Sequence, residues 1–221
     1  MEFSEQARAI LGLISYVCWT LAYIFMIRRG VKDRSYGMPL IALFIDISWE
    51  FFFTFLADID PQYKRANALW FFTNLGVLWT ALRYGRDDFD WPILRRHFRL
   101  IAGGGLLAAF LVVSTFIRSF EDTYGSVSAS LGMLVYSTLL PVMLVRRNSV
   151  KGQSLYVALL ILIGDAVAYP VSMHAATTVQ GGVPTAWIDL VFIYAVSMHM
   201  LYAWGVWYVA RRDGLNPWRR A

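Results

Sequence analysis

Three acids of this chain stand where acids are costly. Asp46 and Glu50 lie in the run 35–56, SYGMPLIALFIDISWEFFFTFL, and Asp165 lies in a second apolar run. Asp46 and Glu50 are four residues apart, so on a helix they share one face about one turn apart. An ionisable group in a membrane helix faces a protein interior or a wet cavity. Two on one face suit either a functional cavity or a buried hydrogen-bond pair that locks helices together. Asp189 and His199 add ionisable groups in the last apolar run, and Asn67 and Asn74 add amides in the third. Aromatic residues crowd the same regions: Trp49, Phe51, Phe52, Phe53, Trp70, Phe71, Phe72, Tyr194, Tyr202 and Trp204. Aromatic faces stabilise cations, which suits a carbocation pocket. They also serve as lipid-facing bulk and interfacial belts. Trp49 and Trp70 stand out because they neighbour the acids or a polar helix face.

Several chemistries are excluded. The lysines are at 32, 64 and 151, all between apolar runs, so no Schiff base forms within a span. No Gly-rich phosphate loop precedes a helix. Cys18 is the single cysteine, which removes an internal disulfide and a cysteine metal cluster. Asp87, Asp88 and Asp90 have the residue type of a metal-binding aspartate cluster but the wrong spacing, and Arg83, Arg86 and Arg95 surround them. They read as a solvated loop, so no metal and no cofactor is expected.

The elements that position these groups follow from composition. The chain has 221 residues, is 58% hydrophobic and has a mean hydropathy of +0.50, with its apolar residues in long runs. The reading is an all-α integral membrane protein of one domain, 1–221. Seven spans are marked: 10–27, 36–56, 66–82, 100–117, 127–145, 155–176 and 187–210. Each crosses about 30 Å of hydrocarbon at 1.5 Å per residue. The start, MEFSEQARAI, lacks a basic region and a small-residue cleavage site, so the first run reads as a permanent span.

Sixteen of the 20 Lys and Arg residues fall in the first, third and fifth loops and the tail. The positive-inside rule then places the N-terminus outside and the C-terminus in the cytoplasm. Charges scattered among loops argue against a nucleic-acid partner and for anionic-lipid contacts. The run RRGVKDRSYGMPLIALFID resembles RRNSVKGQSLYVALLILIGD, with Ser35 matching Ser154 and Asp46 matching Asp165 at one offset. This suggests two parallel three-helix halves joined by a Gly-rich fourth helix; chance similarity is the other reading. Counting along the spans puts Glu50 about 21 Å and Asp46 about 15 Å from the basic side. Glu50 then shares a level with Asp189, and Asp46 shares one with Asp165 and His199. Asp189 also reads as a helix-start carboxylate, His199 as a packing histidine, and Asp165 as a partner for backbone freed by Pro170.

The run from Leu21 to Glu50 resembles the first two spans of the small integral-membrane terpene cyclases of meroterpenoid biosynthesis. The matching residues are Lys32, Asp33, Arg34, Ser35, Tyr36 and Gly37, then Trp49 and Glu50, with Leu82 to Gly85 and the pair Leu69 and Trp70 as further matches. The resemblance covers about the first 85 residues well and the remainder by length and span count. It implies seven spans and a non-hydrolytic cyclisation. An acid protonates the terminal epoxide or alkene of a prenyl chain carried on an aromatic or heteroaromatic head group. Glu50 matches the family's first key acid. Asp189 is the match for its second, with His199 as the competing position. Asn74 stands where the family has an aspartate, and Ile161 where it has a polar or basic residue.

The implied chemistry agrees with the residues. An apolar site favours the proton-carrying form of a carboxyl, which suits Glu50 as general acid. Asp189 or Asp46 would orient it, reprotonate it or take the final proton. Trp49, Asp46, Phe53, Trp70, Asn74, Asp165, Tyr194 and His199 are the candidate substrate-binding residues. The partners expected are a lipophilic prenylated substrate and membrane lipid. The alternative is a small-solute or ion transporter of three, one and three helices. The possible repeat and midplane acids suit it; the missing proline–glutamine pair within a span speaks against it.

Overall fold

The computed structural model describes residues 3–220. Among the described residues seven α-helices make up the fold: α1 (Glu5–Asp33), α2 (Leu40–Phe51), α3 (Pro61–Tyr84), α4 (Pro92–Ser119), α5 (Ser126–Arg147), α6 (Leu155–His174) and α7 (Thr185–Arg212). The starts of several are written in the sequence. Ser4 caps α1 by accepting from the Ala7 N–H, Asp60 caps α3, and Ser154 caps α6. Asp122 accepts from the Val127 and Ser128 N–H groups at the start of α5. Each side chain satisfies helix donors that would otherwise lack a partner. α2 continues through a π turn, Phe52–Leu56, and α6 through another, Ala175–Val179.

Among the described residues five helices are long and apolar enough to cross a membrane: α1, α4, α5, α6 with its π turn, and α7. The expected count of seven is thus met in helices but not by this measure. α2 has only 12 residues before its π turn. α3 carries Lys64, Arg65, Asn67, Asn74 and Arg83, which lower its hydropathy.

The helices close into a ring in the order α1, α3, α2, α5, α7, α6 and back to α1, and α4 packs outside against α2. Each half of the chain follows the same order, first–third–second. The α1–α6 seam between the halves is broad and the α2–α5 seam is slight. The main core fills the ring with Met26, Leu43, Val77, Leu140, Ile161 and Ile188 among others.

The basic end of the ring is knitted by ion pairs. Asp33 takes Arg29, the Gly152 N–H at 2.9 Å and Arg220 at 2.8 Å. Arg147 pairs with Asp88, donates to the Tyr36 carbonyl at 2.8 Å and lies over the Tyr36 ring. The loops that open the two similar runs therefore pack against each other. A Cβ on Gly152 would stand 2.5 Å from the Tyr36 carbonyl oxygen, and its φ of +75° further favours glycine.

Candidate active site

Six of the seven helices contribute to one buried polar cluster. α1 presents Trp19 and Tyr23 one turn apart, and α2 presents Asp46 and Glu50 one turn apart. α3 supplies Asn74, α5 Tyr136, α6 Asp165 and α7 His199. Glu50 is only 3% exposed. The Asn74 amide nitrogen donates to both of its oxygens at 2.9 Å, and the Tyr23 hydroxyl donates to one at 3.3 Å.

Asp165 is held more closely. Trp19 Nε1 donates to it at 2.9 Å, the Tyr136 hydroxyl at 2.8 Å, and His199 Nε2 lies 2.8 Å away. The Tyr136 and His199 rings stack at 5.7 Å, and Trp19 meets Tyr136 edge-on at 5.2 Å. Trp19 and Tyr23 also contact each other at 5.5 Å, so the two carboxyl groups share one aromatic wall. Asp46 is half-buried between them, within electrostatic reach of Asp165 and Glu50. No hydrogen bond to its side chain is found among the described residues.

Several expectations change here. Asp165 does not bond backbone freed by Pro170; its partners are three side chains. His199 is fully buried and is a member of the cluster rather than inert packing. Asp189 is half-buried and accepts from the Tyr169 hydroxyl at 2.6 Å; it is not among the groups that act on Glu50. It lies past the first turn of α7, which holds no acid.

The expected aromatic wall is mostly elsewhere. Trp70 donates to Thr20 and packs on Tyr16. Trp49 donates to Ser128 at 3.0 Å across the α2–α5 seam, with Phe53 against its ring. Phe53 belongs to a separate small core with Phe52, Val113 and Ile117. Tyr194 is exposed and shares a hydrogen bond with Thr138. Asn74, where the resemblance implies an aspartate, is the amide that holds Glu50. Ile161 is buried core.

Trp19, Tyr23 and Tyr136 are the residues that sequence reasoning missed. The available signal was their polar tips: a buried Trp N–H or Tyr O–H needs a partner, and none is at hand within an aliphatic span. Among the described residues no group of three or more His, Cys, Asp or Glu side chains forms a metal site.

Residues 2–212 match the family of Pyr4-like transmembrane terpene cyclases. The chain belongs to this family. It is 31% identical over 148 residues to the Pyr4-family terpene cyclase mfmH of Annulohypoxylon moriforme, covering 65% of this chain and 61% of that protein. It is 33% identical over 91 residues to terpene cyclase dpasB of Apiospora sacchari, covering 40% and 37%. It is 27% identical over 180 residues to terpene cyclase trt1 of Aspergillus terreus, covering 73% and 84%. The matched stretch thus spans less than two thirds of the first two relatives. No solved structure matches the chain.

Proposed function

We propose that this chain is a membrane terpene cyclase that closes rings on a farnesyl or epoxyfarnesyl chain attached to an aromatic or heteroaromatic head group. All seven helices are then spans, with the basic end cytoplasmic. The observation that carries the reading is Glu50: a carboxyl sealed in the ring of a terpene cyclase family member and held by one amide and one phenol. Glu50 gives its proton to the terminal epoxide oxygen or alkene carbon. The chain's own π bonds attack the resulting cation in turn. A proton then leaves the carbon beside the last cation, so the product is an isomer of the substrate. This start needs a proton and no nucleotide or metal.

Asp46 suits the return of that proton, because it lies one helical turn from Glu50 on the same face. The Asp165–His199 pair, wrapped by Trp19 and Tyr136, suits electrostatic support of the cation. Of the two candidates in the last helix for a second functional position, His199 rather than Asp189 shares the cluster with Glu50. The slight α2–α5 seam is the proposed path from bilayer to cluster, and Trp49–Ser128 its crossbar.

The test uses membranes containing the full chain, a linear farnesylated aromatic and its terminal epoxide, with and without chelator. The expected product has unchanged mass and shifted chromatographic retention, with or without chelator. Absence of any isomer from both substrate types sinks the reading. Solute uptake into proteoliposomes without cyclisation would put the transporter in its place.

A further inference from the structure

We propose that the groove where α3 runs into α4 binds a phosphate group carried on an apolar tail, as an anionic phospholipid presents it. The groove encloses about 830 Å³ and is lined by Arg34, Arg83, Arg86, Arg95, Arg96 and Arg99. Asp87 is its one acid. Six arginines against one aspartate leave a formal charge of +5, equal to the net charge of the whole chain. The rest of the chain sums to zero, so no other single groove is needed to account for the net charge.

The local structure separates this groove from an ordinary basic loop. At the same end of the ring, Arg147 pairs with Asp88, and Arg29 and Arg220 share Asp33. In the groove, Asp87 is shared by Arg95 at 3.0 Å and Arg86 at 3.6 Å. Among the described residues Arg34, Arg83, Arg96 and Arg99 make no ion pair. The positive-inside rule asks only for charge on one side, not for convergence on one groove.

The backbone is built for the convergence. α4 leaves helical geometry at His97, φ −106° and ψ 16°, in the middle of the Arg95–Arg99 run, so basic residues on both sides of the break line the groove. Gly85 fixes the turn below: a Cβ there would stand 2.9 Å from the Phe98 ring and 3.1 Å from Tyr36. Guanidinium groups match phosphate oxygens in pairs.

The border of the groove argues for a tail. Leu82 and Leu100 are part of the lining, Leu100 is 75% exposed, and Trp91 nearby in sequence is 71% exposed. A soluble phosphate would use the arginines alone, whereas Leu100 opens the apolar part of α4, beside which a lipid tail would lie. A lipid uses both.

Native mass spectrometry of the full chain in detergent tests the assignment, with phosphatidylglycerol, phosphatidylcholine and inorganic phosphate as probes. The parent should hold phosphatidylglycerol about tenfold better than phosphatidylcholine. The triple variant R83Q/R96Q/R99Q should lose that preference. The triple variant R8Q/K64Q/R65Q removes equal charge outside the groove and should retain it. Should the groove triple fail to fold, R96Q alone alters one exposed side chain and should weaken the preference about two- to threefold. Equal loss in both triples, or no preference in the parent, overturns the site. Inorganic phosphate binding as well as phosphatidylglycerol removes the tail and overturns the lipid assignment.

Discussion

Glu50 on α2 and Asp165 on α6 are both buried, yet they are solvated differently. One side-chain amide straddles Glu50, with a phenol at 3.3 Å. Three side chains from three helices close on Asp165 at 2.8–2.9 Å. A carboxylate ion has about four acceptor positions to satisfy, and low-dielectric surroundings punish those left open. Asp165 has the partners of a group that stays put and holds the ring together. Under the proposed mechanism Glu50, with fewer helices closing on it, is the acid that hands over a proton. Asp165 would first hold three helices together and only then support the cation with His199.

The sharpest way to break this contrast is Glu50→Gln. The amide keeps the shape but carries no acidic proton, so cyclisation should fall by about 10²–10⁴-fold. Thermal stability should fall less than in Asp165→Asn, because Asn74 can turn its own unpartnered amide oxygen toward the new amide. Turnover at the parent rate would make Glu50 structural and end the division of labour.

Asp165→Asn should show the opposite balance. It puts an amide where Trp19 and Tyr136 both donate and His199 Nε2 lies 2.8 Å away, and leaves buried polar groups unmatched. A loss of about 3–5 kcal/mol is expected, read as a lower melting temperature in detergent. If Asp165→Asn melts like the parent while Glu50→Gln melts early, the two roles are exchanged.

Much of this arrangement was legible in the sequence, for a physical reason. An acid in an apolar run has few explanations, so Asp46, Glu50 and Asp165 could be singled out without coordinates. The matching runs around Ser35 and Ser154 open on loops that meet through Asp33 and Gly152, a contact that the similarity alone did not announce. The partners were harder to see. Trp19, Tyr23 and Tyr136 look like ordinary apolar bulk until their N–H and O–H groups are aimed, and that depends on which helices become neighbours. Asp189 was misplaced because counting residues gives depth along a helix but not direction around it. The Lys32–Gly37 motif is informative in another way. Asp33 and Tyr36 join the halves at the basic end, far along the helices from Glu50, so a family signature here marks a joint rather than the chemistry.

The two seams between the halves sharpen the same comparison, with a smaller effect. On the α1–α6 seam a Cβ on Gly164 would stand 3.1 Å from Trp19 and 3.3 Å from Cys18. On the α2–α5 seam a Cβ on Gly132 would meet only Ile45, at 3.8 Å. Gly164→Leu should therefore destabilise by about 1–3 kcal/mol through overpacking. Gly132→Leu should melt within about 1 kcal/mol of the parent yet lower kcat/KM by about tenfold, if substrate passes between α2 and α5. An unchanged kcat/KM in a folded Gly132→Leu protein would move the path to another seam.

The smallest effect is expected at Asp189. Its carboxyl accepts from Tyr169 at 2.6 Å, and neither residue bonds to Glu50, Asp46 or Asp165. Asp189→Asn keeps an oxygen for the Tyr169 hydroxyl, so the local bond survives. Activity should drop less than about threefold, because no proton-transfer step is routed through it. Tyr169→Phe gives the independent check: it removes the partner without touching the acid, and it too should stay near the parent rate. A fall of about a hundredfold in Asp189→Asn with Tyr169→Phe intact would mean that the carboxyl reaches the substrate itself. The chemistry would then extend up α7 toward its N-terminal end, and the cluster around Glu50 would be only the lower half of the active site.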